Sequence, residues 1–390
     1  MHLRDGDFTK QGNIYIQIVF IPYIALVLVS SLARLHWLIL LVPSIAIAGF
    51  GFFTWRASRK QVLASTRGLP VAGIVCTGLL VFISWQAYQR QIQMLSWLDN
   101  KEVFQEYLEL QRYQPFQPNN RLVKLSPKPT LQFDAYTAPR LDGATAAYPV
   151  YAALAQAMYP ERFVFDKIAN NKTPSAYQRL IDGDTDAIFV AQASPEHVKL
   201  AKDRGVELIM TPVAREAFVF LVHEDNPVKQ LTLAQTKAIY SGQITNWNEL
   251  GGADTRIVAF QRPKNSGSQT VMEAKVMQGM AMKKPLQEEI QQGMGGLIRQ
   301  VAAYRNSPSA LGYSFRFYAT SMQNPKNLSL ISINNIAPTI ENIRSGTYPL
   351  SVDVYMVTTQ KSNPSVSQLR DWILSTEGQK LIADSGYIPR

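Results

Sequence analysis

The chain has 390 residues, 46% of them hydrophobic, and its 39 Lys and Arg against 29 Asp and Glu give a formal net charge of +10. Single cores rarely grow past about 250–300 residues, so one compact domain is an odd reading and the length leaves room for a membrane region and a two-lobed soluble part. The charge does not mark a nucleic-acid binder, because residues 1–129 hold a net +7 and residues 130–390 only +3, with no long basic run in the latter.

Hydrophobicity is concentrated near the start. Ile14 to Ala33, Trp37 to Phe53 and Leu69 to Trp85 are mostly apolar runs of about 17–20 residues, the length that crosses a hydrocarbon core as a helix. Three transmembrane helices are expected within residues 1–88. A cleaved signal peptide accounts for one such run and not for three. The loop between the second and third runs carries Arg56, Arg59, Lys60 and Arg67 without an acidic residue, which places it in the cytoplasm and sends everything after Trp85 to the outer face of a bacterial inner membrane. Cys76, the single cysteine, lies inside the third run, so no intrachain disulfide forms. His2, His36, His197 and His223 are scattered without metal-ligand spacing, and no metal or cofactor is expected.

Residues 89–129 read as a stalk or linker. Tyr88 to Gln111 is polar and helix-favouring, and the stretch to Pro129 holds Pro115, Pro118, Pro127 and paired Asn119 and Asn120. Met94, Leu95, Trp97, Leu98 and Phe104 equally allow an amphipathic helix lying on the lipid surface.

From residue 130 to the end, strand and helix patterns alternate, which means α/β layers. Leu131–Tyr136 reads as a strand, Tyr148–Met158 as a helix, Phe163–Ile168 as a strand, Ser175–Ile181 as a helix and Asp186–Ala191 as a buried strand. A helix over Pro195–Arg204 follows, and the apolar stretch Glu207–His223 is long enough to pass from one lobe into another. Further elements fall at Leu231–Ser241, Arg256–Gln261, Gln269–Met280, Leu297–Tyr304, Ala310–Phe315 and Leu328–Ile333. The chain closes with a helix at Thr339–Ser345, a strand at Val352–Val357 and a helix at Ser365–Leu374.

The most specific chemistry lies in Arg262-Pro-Lys-Asn-Ser-Gly-Ser268. One guanidinium and two hydroxyls surround a glycine just before a helical stretch, a combination suited to an oxyanion: Arg offers a planar fork of donors, Gly lets backbone approach a ligand, and helix-opening N–H groups carry partial positive charge. The plainer reading is a solvated turn and helix cap, with Thr270 and Glu273 at capping-box spacing. Hydrolytic use of Ser266 or Ser268 is disfavoured, since neither sits in a Gly-x-Ser-x-Gly elbow and no base lies nearby in sequence.

Five stretches, in order, resemble the substrate-binding proteins of phosphate ABC transporters, within the two-lobed type II periplasmic binding proteins. They are Asp142-Gly-Ala-Thr-Ala-Ala-Tyr-Pro-Val-Tyr151, Ile239-Tyr-Ser-Gly-Gln-Ile-Thr-Asn-Trp-Asn-Glu-Leu250, the Arg262–Ser268 segment, Ser309-Ala-Leu-Gly-Tyr313 and Gly386-Tyr-Ile-Pro389. The resemblance implies a binding domain over 130–390, with lobe I about 131–212 and 334–390 and lobe II about 213–333. It also implies phosphate contacts at Thr145, at the N–H of Ala146, and at Arg262, Ser266, Gly267 and Ser268. Simple N-capping of the following helix is the plain alternative for Ala144-Thr145-Ala146.

Two positions depart from the family pattern. A second-loop hydroxyl comes from Thr173 or Ser175, with Ser175 preferred. Where the family can place an Asp that accepts the proton of hydrogen phosphate, this chain has Gln192. A carboxylate there repels an unprotonated anion and an amide does not, so weaker discrimination against sulfate is expected.

The expectation is therefore an α/β two-lobed binding protein behind three transmembrane helices. It would bind phosphate or a similar oxyanion in an interlobe cleft, and act in uptake through an ABC permease or in sensing. The competing class is a membrane-anchored signalling or scaffold protein whose cleft contacts proteins. An enzyme acting on phosphate esters is the third.

Overall fold

A computed structural model describes residues 106–285, 297–299, 301 and 309–390. The chain divides into two compact units, Met1–Leu98 and Asp99–Arg390. The three expected membrane spans lie in the first, outside the described residues. Among the described residues no helix is long and apolar enough to cross a membrane.

The first lobe starts at strand β1 (Leu141–Gly143), followed by a single 3-10 turn at Thr145–Ala147 and helix α1 (Tyr148–Met158). Pro149 in the first turn of α1 needs no N–H partner, and the helix is buried on nearly every side, as its continuous apolar composition requires. Helix α2 (Lys172–Asp182) ends at Gly183, whose φ of 83° provides the left-handed stop, and leads to β2 (Ala187–Val190). Helix α3 (Pro195–Asp203) is closed by a reciprocal cap between Ser194 and His197, with the His197 N–H donating to Ser194 Oγ at 3.1 Å. The His197 ring stacks on Tyr177, centroids 4.3 Å apart, and burial pulls its pKa down to about 4.

Strand β3 (Leu208–His223) joins the two lobes. Its sixteen residues span about 50 Å at the usual rise per residue. Buried on both faces over most of Val213–Val222, it reads in the sequence as one apolar run and not as an alternation.

The second lobe holds β4 (Gln230–Leu231), helix α4 (Leu233–Ser241), β5 (Val258–Ala259), helix α5 (Gly267–Val271), β6 (Ala310–Phe315), β7 (Leu328–Leu330) and β8 (Ser332–Ile333). The return to the first lobe brings helix α6 (Ile340–Arg344), β9 (Ser351–Thr359) and helices α7 (Pro364–Leu374) and α8 (Thr376–Asp384). Among the described residues a seven-stranded sheet runs β1-β2-β9-β3-β6-β5, with β7 also on β3, and β4 pairs with β8 apart from it. Residues 208–217 of β3 pair antiparallel with β9, and Phe218–Val222 pair with β6. One continuous strand thus belongs to both lobes.

Three of the resembling stretches serve the fold. Trp247 is buried and its indole N–H donates to the Ser309 carbonyl at 2.9 Å, which fastens the turn after α4 to the start of β6. Ile388 exchanges backbone hydrogen bonds with Arg215 at the lobe crossing, and the Tyr387 hydroxyl donates to the Ala146 carbonyl.

Several expectations need correction. Leu131–Tyr136 is not a strand: only Phe133 is buried, and its N–H goes to the Met158 carbonyl at the end of α1, at 3.0 Å, and not to a sheet neighbour. Phe163–Ile168 is a helical turn over Val164–Lys167 in which Phe163 and Phe165 face solvent. The expected helix Gln269–Met280 is α5 extended by a π-helical turn, Met272–Met277. Residues 113–133, linker-like in composition, pack on the domain: Tyr113, Leu122 and Phe133 are buried, and Gln156 Oε1 of α1 accepts from Asn120 Nδ2 at 2.7 Å and from the Phe116 N–H at 3.1 Å.

Candidate functional site

A cavity of about 260 Å³ opens between β1 and α2 of the first lobe and the Arg262–Gly267 segment of the second. On the first-lobe side its walls are set by Asp142. That side chain is fully buried and collects four donors: the N–H groups of Gly143 and Asn171, both at 2.8 Å, Asn171 Nδ2 at 2.7 Å and Arg179 Nε at 3.2 Å. A single carboxylate thereby ties the loop after β1 to the loop before α2. At Gly143 a β-carbon would stand 2.3 Å from the Phe189 carbonyl oxygen, so only glycine lets β1 lie this close to β2.

Thr145 is buried on the cavity wall and does not cap α1. Its hydroxyl donates to Glu106 Oε1 at 3.1 Å, and Lys172 Nζ lies 3.5 Å from Glu106 Oε2. Lys172 itself has a φ of 64°, a left-handed conformation uncommon for a side-chain-bearing residue.

On the second-lobe side, the Arg262 N–H is shared between the Tyr313 hydroxyl oxygen at 3.0 Å and Gln269 Oε1 at 3.2 Å. Tyr313 donates its own proton to Gln269 Oε1, and burial pushes its pKa well above the normal range, so it remains a neutral donor. This fixes the backbone from which the Arg262 side chain lines the cavity. Ser266 is the N-cap of α5, accepting from the Gln269 N–H at 3.4 Å, and it lines the cavity as well. The capping box expected from Thr270 and Glu273 does not form: Glu273 accepts from Gln269 Nε2 at 2.9 Å, and the Thr270 hydroxyl is buried without a partner among the described residues.

The two lobes touch at the cavity. A β-carbon on Gly267 would lie 3.0 Å from Thr173 Oγ1, and Lys264 forms an ion pair with Glu196 of α3.

Of the residues expected at the site, Thr145, Ser175, Arg262, Ser266 and Gly267 line this one cavity. Thr173 lines it too, and is buried where Ser175 is exposed. Ala146 lies on a smaller neighbouring cavity beside Tyr387, and Ser268 is wholly buried behind the wall, its hydroxyl without a partner among the described residues. Gln192 is not brought in: it lines a separate cavity of about 250 Å³ with Arg215, Lys275 and Asp353. The expectation about sulfate thus has no support from its position. Glu106 and Lys172 were not singled out by the sequence. Glu106 stands 39 residues before Thr145, in a stretch whose local pattern carries no site signal. Among the described residues no group of His, Cys, Asp and Glu is placed to hold a metal.

Comparison with known proteins gives this geometry a lineage. The phosphate-binding protein PstS of Bacillus subtilis (strain 168) is 27% identical over 183 residues, 47% of this chain and 58% of the relative. The phosphate-binding protein PstS of Borreliella burgdorferi is 26% identical over 236 residues, covering 57% of this chain and 82% of the relative. The chain thus spans little more than half the length of the first of these. Among solved structures, a Clostridium perfringens chain described as a phosphate ABC transporter substrate-binding protein, with phosphate bound, shares 25% identity at a TM-score of 0.51. That match covers 65% of this chain and 99% of the other. An ABC-type phosphate transport receptor from Vibrio cholerae, 21% identical with a TM-score of 0.50 and the same coverage, shares the fold. Residues 134–377 match the family model of the PBP superfamily domain, and the chain belongs to that superfamily.

Proposed function

We propose that the domain binds inorganic phosphate, or an oxyanion of the same shape and charge, in the cavity between Thr145 and Arg262. The observation that carries this reading is the composition of the two facing walls. Arg262, Ser266 and Gly267 on one side, and Thr145 with the 171–175 loop on the other, converge on one space of about 260 Å³. A guanidinium fork, hydroxyls and backbone amides are the donor set that replaces an anion's hydration shell. Because the donors come from both lobes, an anion held by all of them favours the closed arrangement, and binding is read out as cleft closure.

Ala146 and Ser268, adjacent to the walls, belong to this reading through their backbone amides. Relatives named as phosphate-binding proteins, and the C. perfringens chain with phosphate bound, point the same way. The apolar runs within residues 14–85 and the basic loop between the last two argue for a domain held at the outer face of a bacterial membrane. Such a domain hands phosphate to an ABC permease or reports its presence to a membrane sensor. A fixed tether fits a dedicated receptor at least as well as a diffusing shuttle.

Titration calorimetry of the purified protein with inorganic phosphate tests the proposal. A saturable heat that disappears in Arg262→Ala, with the circular dichroism unchanged, is expected. Full retention of that heat in Arg262→Ala overturns it, and so does the absence of phosphate heat both in the wild-type protein and in a variant lacking the Glu106 side chain, which lines the same cavity.

A further inference from the structure

We propose that Glu106 is an intramolecular occupant of the oxyanion cavity: its carboxylate holds the Thr145 hydroxyl and the Lys172 ammonium until a free oxyanion displaces it. Binding then releases the connector that leads back toward the N-terminal region. The inference rests on the phosphate reading above and adds its regulation.

The geometry is that of a competitor. Each oxygen of the Glu106 carboxylate takes one cavity donor, Oε1 from Thr145 Oγ1 at 3.1 Å and Oε2 from Lys172 Nζ at 3.5 Å. These are the contacts that two oxygens of a phosphate would make. A hydroxyl has a single proton to donate, so Thr145 cannot serve Glu106 and a bound oxyanion together. Co-occupancy would also set a carboxylate against an anion within one space of about 260 Å³, where like charges repel. Displacement removes both conflicts.

The connector is built to let go. Among the helical residues 106–111, Glu106 is buried, while Tyr107 and Leu108 are exposed apolar side chains. Leu110 packs against the core, so hydrophobic burial holds the end of this segment, and the polar grip of Glu106 on the cavity anchors its start. Further along, Tyr113 is buried, and Phe116 and Asn120 are held by Gln156. Release is thus centred on the residues before Leu110, which continue toward the N-terminus.

Calorimetry and hydrogen exchange on the full-length protein test this. If Glu106 occupies the cavity nine-tenths of the time, phosphate affinity in Glu106→Ala rises about tenfold, since apparent affinity scales with the competent fraction. Sulfate moves in the same direction. In the wild-type protein, phosphate is expected to raise deuterium uptake over residues 107–113 while lowering it over 262–270. Phosphate binding unchanged or weakened in Glu106→Ala overturns the proposal and leaves the phosphate reading intact. So does unchanged or reduced uptake over 107–113 with phosphate bound. Phosphate binding in Glu106→Ala but not in the wild type supports both. Absence of binding in both proteins overturns both. Should Glu106→Ala fail to fold, Glu106→Gln, which keeps the side-chain shape and removes the charge, carries the affinity arm with the same expected direction.

Discussion

Gly267 of the second lobe stands so near Thr173 of the first that a β-carbon would meet its hydroxyl oxygen at 3.0 Å. This spacing is tighter than ordinary packing, and Thr173 is buried, so the added methyl crowds the lobes where they meet. Crowding of this kind costs about 1 kcal/mol at the low end of overpacking effects. Gly267→Ala is therefore expected to weaken phosphate binding roughly fivefold by disfavouring closure. In a Thr173→Ala background, where the obstructing hydroxyl is gone, the same glycine substitution should cost nothing. A double-mutant cycle by calorimetry measures this coupling, and additive losses would show that the contact does not govern closure.

Arg262 has its backbone position fixed by Tyr313 and Gln269, and its side chain lines the cavity with a planar fork of donors. Lysine keeps the charge but offers a point donor in place of the fork. Arg262→Lys should lose about 2 kcal/mol of binding, roughly thirtyfold, the scale of one charge-assisted hydrogen bond. The melting temperature should stay where it is. An equal phosphate affinity for Arg262→Lys would mean that charge alone holds the anion.

Much of the fold is legible along the chain because local chemistry and tertiary packing agree there. Helix α1 has the bounds its apolar run suggests, and the length of β3 in the sequence already announces a strand serving two lobes. The misreadings occur where an apolar pattern is not buried. Phe163 and Phe165 alternate like a strand, yet both are exposed and the segment turns helically after Pro160. Helix α8 has no loop signal to mark it in the sequence, because it follows α7 with only Ser375 between them, and that serine caps it by accepting from the Gly378 N–H at 3.2 Å. A β-carbon on Gly378 would stand 2.2 Å from the Trp372 carbonyl, so the junction is compressed into fewer residues than a loop normally takes. At the site, the Arg262–Gly267 wall was visible as a motif because its residues are contiguous. Glu106 was not, since its meaning arises only when the fold brings it against Thr145. Gln192 shows the converse, a plausible position in sequence that the end of β2 directs to a different cavity.

Lys264 and Glu196 form a second link between the lobes, an ion pair between mostly exposed side chains. Exposed pairs contribute little to folding and are screened by salt. Their effect should appear in the opening rate of the cleft and not in stability. Glu196→Gln is expected to speed phosphate release several-fold at low ionic strength, with no change in melting temperature, and the difference should vanish in high salt. Stopped-flow release at two salt concentrations provides the measurement. A salt-independent change would point to a steric effect of the substitution instead.

Glu216 sits on β3 where the strand passes between lobes, fully buried, accepting from its neighbour Ala217 N–H at 2.7 Å and from the Phe317 N–H of the second lobe at 3.1 Å. Burial pushes its carboxyl up to about 7, against the partial pull of those two N–H groups. A carboxyl raised in the folded state keeps a proton that the unfolded chain has already lost, from the ordinary Glu range up to about pH 7. Stability from this group is therefore greatest at the acid end of that window, falls as pH rises through it, and levels off above it. A shift of this size corresponds to roughly 3 kcal/mol. Denaturant midpoints measured between pH 5 and pH 8 should thus decline in the wild-type protein. In Glu216→Gln, which cannot ionise, the decline should be lost, even though the amide replaces one acceptor facing a backbone N–H and lowers the midpoint at every pH. A Glu216→Gln profile with the same slope as wild type would assign the pH dependence to another group.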